Sequence, residues 1–103
     1  MVSDMSNIVI IQGDTYEAEL EIIGLTDLSV IEKCVFTCSY LQLCKELQAN
    51  EDGKYELKLS PEETEKLKAC VSDFDITLYF KDENVATVIY RAQVKVLEKN
   101  NKC

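Results

Sequence analysis

Apolar and polar residues alternate along most of this chain, and a period of two marks a strand with one buried face. The clearest case is Thr15–Ile23. Tyr16, Ala18, Leu20 and Ile22 fall on one side, and Glu17, Glu19 and Glu21 on the other. A helix would scatter those glutamates around its axis, whereas a strand puts all three on water. The same period sets Cys34, Phe36, Cys38 and Tyr40 inward along Glu32–Tyr40, with Lys33, Val35, Thr37 and Ser39 outward. It sets Phe74, Ile76, Leu78 and Phe80 inward along Asp73–Lys81. Along Val85–Leu97 it sets Ala86, Val88, Tyr90, Ala92, Val94 and Val96 inward. Asn7–Gln12 holds the β-branched run Ile8–Ile11 and has strand length.

The residues between these stretches are turn formers. Gly13-Asp14 turns the chain after the first strand, and Gly24 ends the second. A loop over Leu25–Ile31 returns with apolar anchors at Leu25, Leu28 and Ile31. Asn50-Glu51-Asp52-Gly53 is a strong turn signal, so Lys45–Ala49 reads as a short strand paired with Lys54–Leu59. Tyr40, Leu43, Cys44 and Leu47 also carry helical spacing, which leaves a helix over 41–49 open. Ser60 stands three residues before Glu63 with Pro61 between them, a capping box with proline at the first helical position. A short helix is therefore expected from Pro61 to Leu67, with Leu67 closing the corner against the core. Ala69-Cys70-Val71 reads as a bridge into the next strand, and Asp82-Glu83-Asn84 as a hairpin tip.

That hairpin must pair inward with inward residues, so paired numbers sum to an even value. A sum of 166 faces Phe80 with Ala86, Leu78 with Val88, Ile76 with Tyr90 and Phe74 with Ala92. It also sets Asp75 opposite Arg91, an attractive outer-face pair that the neighbouring register lacks. With about seven strands, turns roughly ten residues apart and one corner helix, the expected fold is all-β. It is an antiparallel immunoglobulin-like sandwich, one domain over 7–97 with flexible termini at 1–6 and 98–103. The length of 103 residues suits one core and not two.

Charge narrows the partners. Nineteen acids against eleven bases give a net charge of −8. Such a surface repels nucleic-acid phosphates and anionic membranes, and suits a basic protein partner. No apolar run is long enough to cross a membrane, and Met1–Gln12 lacks the positive start of a signal peptide. The five cysteines, Cys34, Cys38, Cys44, Cys70 and Cys103, are odd in number and read as reduced thiols.

Candidate chemistry is sparse. With no histidine, the commonest general base and metal ligand is missing, and no serine or cysteine gains an imidazole partner. Cys34 and Cys38, four residues apart on a strand, stand roughly 13 Å apart, too far to share one zinc ion. Asp73 and Asp75 supply too few oxygens for calcium. Glu62, Glu63 and Glu65 are accounted for by the positive end of the corner helix. No catalytic residue, cofactor or metal is expected. Val35, Tyr79, Val85 and Ile89 are the candidate contact surface, as apolar residues on outward faces. Sheet edges at the first and last strands are open to another subunit.

The order of several short stretches carries a resemblance. Gly13-Asp14-Thr15 precedes a long alternating strand, and Leu-Thr-Asp-Leu follows at Leu25–Leu28. Leu57-Lys58-Leu59-Ser60-Pro61-Glu62-Glu63-Thr64 leads to Phe74-Asp75-Ile76-Thr77-Leu78, then an acidic hairpin and a closing strand. From about Ile8 to Leu97 this series resembles the immunoglobulin-like domains of tailed-phage virion proteins, notably the N-terminal domain of baseplate upper proteins. It is also similar to small stand-alone phage and prophage proteins of gut Firmicutes. The resemblance implies a non-enzymatic domain that assembles into a tail, baseplate or head-tail structure through self-association or other virion proteins. Its location would be the virion, or the bacterial host cytoplasm during production. A second expectation is a soluble acidic adaptor or inhibitor that binds one host protein.

Overall fold

The computed structural model describes residues 2–3, 7–22 and 27–99. The strand end expected at Gly24, the anchor Leu25, the side chain of Leu28, and Cys103 lie outside the described residues. The described residues form eight strands: β1 (Val2–Ser3), β2 (Asn7–Ile11), β3 (Tyr16–Ile22), β4 (Ile31–Cys38), β5 (Leu43–Ala49), β6 (Tyr55–Leu59), β7 (Cys70–Phe80) and β8 (Val85–Leu97). A short α-helix, α1 (Pro61–Glu65), sits between β6 and β7, and a 3-10 turn over Leu28–Val30 leads into β4. The all-β class expected from the alternation is what the chain adopts.

The strands form one sheet in the order β1-β3-β6-β5-β4-β7-β8-β2. Chain geometry requires it to curl. The ends of a flat eight-stranded sheet would lie about 34 Å apart at the usual strand spacing. Ser3 in β1 and Asn7 in β2 occupy opposite ends, yet four peptide steps reach at most about 15 Å. The sheet is accordingly barrel-like and wraps one core. Ile8, Ile10, Leu20, Phe36, Leu57, Phe74, Ile76, Leu78 and Val94 are all but sealed from solvent within it. The rings of Phe36 and Phe74 stack with centroids 5.0 Å apart.

Most pairings are antiparallel, but β2 runs parallel to β8, with Ile8 beside Val94 and Ile10 beside Val96. This corrects the expectation of a purely antiparallel sheet. Alternation specifies which face a residue takes but not strand direction, and the rest of the domain serves as the crossover a parallel pair needs. Val2 and Ser3, expected in a loose lead-in, pair with Ile22 and Glu21.

The ambiguous segment is a strand. Leu43–Leu47 of β5 pairs with β4, and only Gln48 and Ala49 pair with Glu56 and Tyr55 of β6. The strand therefore hands over from one neighbour to the other, rather than forming a full hairpin with β6. The turn between them is held by Asn50, whose Oδ1 accepts from the backbone N–H of Asp52 and Lys54. Tyr40, expected inward, lies in the β4–β5 turn and is 59% exposed.

The corner helix forms as its cap predicts. Ser60 Oγ accepts from Glu63 N at 3.2 Å, and Glu63 Oε1 accepts from Ser60 N at 2.9 Å. The α-helical turn stops at Glu65, and Leu67 is buried as expected. Thr64 anchors the corner: its buried hydroxyl donates to Asp14 O at 2.8 Å and accepts from Gly13 N at 3.1 Å. Gln12 Nε2 adds a bond to Leu67 O at 2.7 Å. Both polar ends of the β2–β3 turn are thus satisfied from α1, which fixes β2 in place.

Candidate contact surface

The outer face of β4, β7 and β8 is built from residues of one parity. Lys33, Tyr79 and Val85 form one rung, and Val35, Thr77 and Thr87 the next. Val85 is 58% exposed, while Tyr79 and Val35 are half-buried among their neighbours. The Lys33 ammonium lies 4.9 Å from the centre of the Tyr79 ring, a cation–π contact that covers part of the tyrosine face. Val35, Tyr79 and Val85 therefore share a face, as the alternation predicts. Ile89 does not join them: it is partly buried and packs against the core.

A β-bulge explains that exception and corrects the hairpin register. At the base of the β7–β8 hairpin the pairs sum to 166, with Phe74 beside Ala92 and Cys70 beside Val96. Toward the tip the sum falls to 164, with Leu78 beside Ala86 and Tyr79 beside Val85. The two extra residues on β8 fall on either side of Ile89: one between Ile89 and Ala92, where Arg91 adopts a left-handed φ of +52°, and one at Val88, between Thr87 and Ile89. The pairs expected from 166 for Phe80, Leu78 and Ile76 do not form; the one for Phe74 does. Asp75 does meet Arg91, but its Oδ1 accepts from the Arg91 backbone N–H at 2.7 Å. Each extra residue flips the facing once, so only the stretch between them, Ile89 and Tyr90, is reversed, and odd positions face outward again on both sides. Tyr90, expected inward, is 69% exposed, with the Arg91 guanidinium 5.4 Å from its ring centre.

A second apolar surface lies at the β2 end of the same outer face. Val9 stands beside Lys95, Lys95 opposite Val71, and Ile11 beside Leu97. All four apolar residues are exposed. This patch was within reach of parity arguments. The run Ile8–Ile11 has to put two residues outward, and Val71 follows the outward parity of Asp73 once Cys70–Phe80 is one continuous strand.

The opposite face, on β3 and β6, is acidic. Glu19 stands directly opposite Glu56, an unfavourable like-charge pair that Asn50 bridges, its Nδ2 donating to both carboxylates at 2.8 and 3.1 Å. That amide, then Lys58, holds the Glu56 carboxyl below the ordinary carboxylate range. Glu63 is held low in the same way by the Lys45 ammonium at 2.6 Å and by the Ser60 N–H.

The four described cysteines are free thiols. Cys34 and Cys38 are buried on the inward face of β4, and Cys44 is exposed on the outer face of β5, beside Thr37. Burial pushes the Cys34 thiol up to about 12. Among the described residues no three cysteine, aspartate or glutamate side chains are grouped to hold a metal ion, and no helix is long and apolar enough to cross a membrane. Comparison with family models, with curated proteins and with solved structures finds no match to this chain.

Proposed function

We propose that this protein is a non-enzymatic structural component of a phage or prophage virion, in a tail, baseplate or head-tail assembly. On this reading it works through protein–protein contacts made by an immunoglobulin-like sandwich. The observation that carries the contact role is the number of large apolar side chains left in water on the outer faces of β2, β7 and β8: Val9, Ile11, Val71, Val85, Tyr90 and Leu97. Scattered single apolar residues are ordinary on a protein surface, but neighbours on adjacent strands are the mark of a contact surface. The pairing order supports the sandwich. Strands β3 and β6 pair as the second and fifth lettered strands (B and E) of an immunoglobulin domain do. Strands β5-β4-β7-β8 follow the order of its other sheet, and α1 falls at the corner between the layers. The virion assignment itself rests on the sequence resemblance.

Light scattering behind a sizing column, under reducing conditions and over a range of concentrations, tests this reading. A discrete or concentration-dependent oligomer is expected. A monomer at every concentration overturns self-assembly. It would favour the second reading, an acidic adaptor, for which the Glu17, Glu19, Glu21 and Glu56 face is the specific observation.

A further inference from the structure

Several backbone edges of the sheet are open to another strand among the described residues; the part of β3 beyond the reach of β1 carries the outward glutamates Glu17 and Glu19, and the others are treated differently. An open edge is a row of unpaired N–H and C=O groups, and folded proteins blunt such rows by shortness, by inward-pointing charge or by lysine. The edge at β1 is two residues long. The edge along Leu43–Leu47 of β5 opens where β5 splays from β6, and the cleft between them is lined by Lys45, Leu47, Glu56 and Leu57. Lys45 shares the inward parity of Leu43 and Leu47, and its ammonium is tied to Glu63 at 2.6 Å. A strand added there would have to displace or bury that ion pair. A further edge is the free side of β2, which ends the sheet.

Strand β2 carries none of these guards. Its sequence is Asn-Ile-Val-Ile-Ile, with no charge, no proline and no bulge. Every other strand of five or more residues carries at least one charged side chain, in a protein with 29% charged residues. The exposed flank of β2 is continuous with the apolar patch of Val9, Ile11, Val71 and Leu97.

We infer that β2 is a pairing edge and that its partner is β2 of a second copy of this chain, joined antiparallel about a two-fold axis at Val9. This names the edge used in the self-assembly proposed above and rests on that reading. The burial pattern of β2 is symmetric about Val9, with Ile8 and Ile10 inward and Asn7, Val9 and Ile11 outward. Pairing about Val9 sets Ile8 against Ile10 of the partner copy and keeps inward residues facing inward, so the two cores become continuous across the junction. Net charge does not choose this partner, because two copies of net charge −8 repel each other. The carboxylates of β3 and β6 lie elsewhere on the molecule, and β2, which carries no charge, adds nothing to that repulsion at the junction.

Cysteine crosslinking under mild oxidation reads the register, in a background with Cys44, Cys70 and Cys103 replaced by serine. Val9→Cys should give a covalent dimer on a denaturing gel. Asn7→Cys and Ile11→Cys should crosslink when mixed and not when alone. Val9→Lys, on an exposed position, should weaken dimerisation at least tenfold while leaving the circular dichroism spectrum unchanged. An oligomer that persists with Val9→Lys and gives no Val9→Cys crosslink overturns the β2 inference but leaves the assembly reading standing. A wild-type chain that stays monomeric overturns both.

Discussion

Asp75 shows how one side chain sets a surface. Its carboxylate is the partner of the Arg91 N–H at the bulge, and Arg91 holds a positive φ that a residue with a Cβ adopts at a cost. Asp75→Ala removes the acceptor and should cost about 1–2 kcal/mol in urea unfolding, because a charge-assisted bond to a backbone donor is lost. Arg91→Gly relaxes the same backbone and should be close to neutral in that assay. A second residue-scale prediction concerns acid. Glu63 has its carboxyl lowered below the ordinary 4.5 by Lys45 and the Ser60 N–H. A lowered acid stabilises the fold above that ordinary value and loses the contribution as pH falls through the lower folded value. Melting temperature measured from pH 7 down to pH 3 should therefore fall more steeply for the wild type than for Glu63→Gln, with the curves converging at the acid end. Parallel curves would show that Glu63 carries no such linkage. Thiol reactivity divides by burial. Cys44 should alkylate in minutes at pH 8 in the native state, and Cys34, its thiol pushed to about 12, only on unfolding, as peptide mapping by mass spectrometry would show.

At the scale of elements, what was legible in the sequence is what is encoded locally. The Ser60-Pro61-Glu63 cap specifies α1 by itself, and the glutamates of β3 specify its faces. Alternation was enough to bring Val35, Tyr79 and Val85 onto one face. The rest depends on contacts between distant stretches. Nothing within Asn7–Ile11 says that it runs parallel to a strand more than eighty residues on. No glycine marks the bulge at Arg91, so the parity of β8 read straight through it and misplaced Ile89 and Tyr90. The hand-over of β5 was hidden because the Asn50–Gly53 turn signals a hairpin whatever the length of its ladder. The corner offers a test of how far one buried hydroxyl holds elements together. Thr64→Val keeps the shape but leaves Gly13 N–H and Asp14 C=O without their partner. It should cost about 2–3 kcal/mol, since each buried group left unpaired is worth about 1–3 kcal/mol. Thr64→Ser, which keeps the hydroxyl, should cost markedly less; equal losses would mean that packing of the methyl is the larger effect.

The whole molecule sets an acidic face on β3 and β6 against outer faces with exposed apolar side chains on β2, β7 and β8. Its open edges are unequal, with β5 guarded by an inward lysine and β2 bare. Exposed uncharged strands of this kind are a hazard unless something pairs with them, which is the physical reason to place assembly at β2. Backbone amide exchange reads that edge without any substitution. Reduced wild-type protein would be exchanged at low and at high concentration and followed residue by residue. The account predicts that amides of Asn7–Ile11 exchange more slowly as concentration rises, while those of Leu43–Leu47 on the guarded edge do not change. Exchange in β2 that is independent of concentration would contradict it.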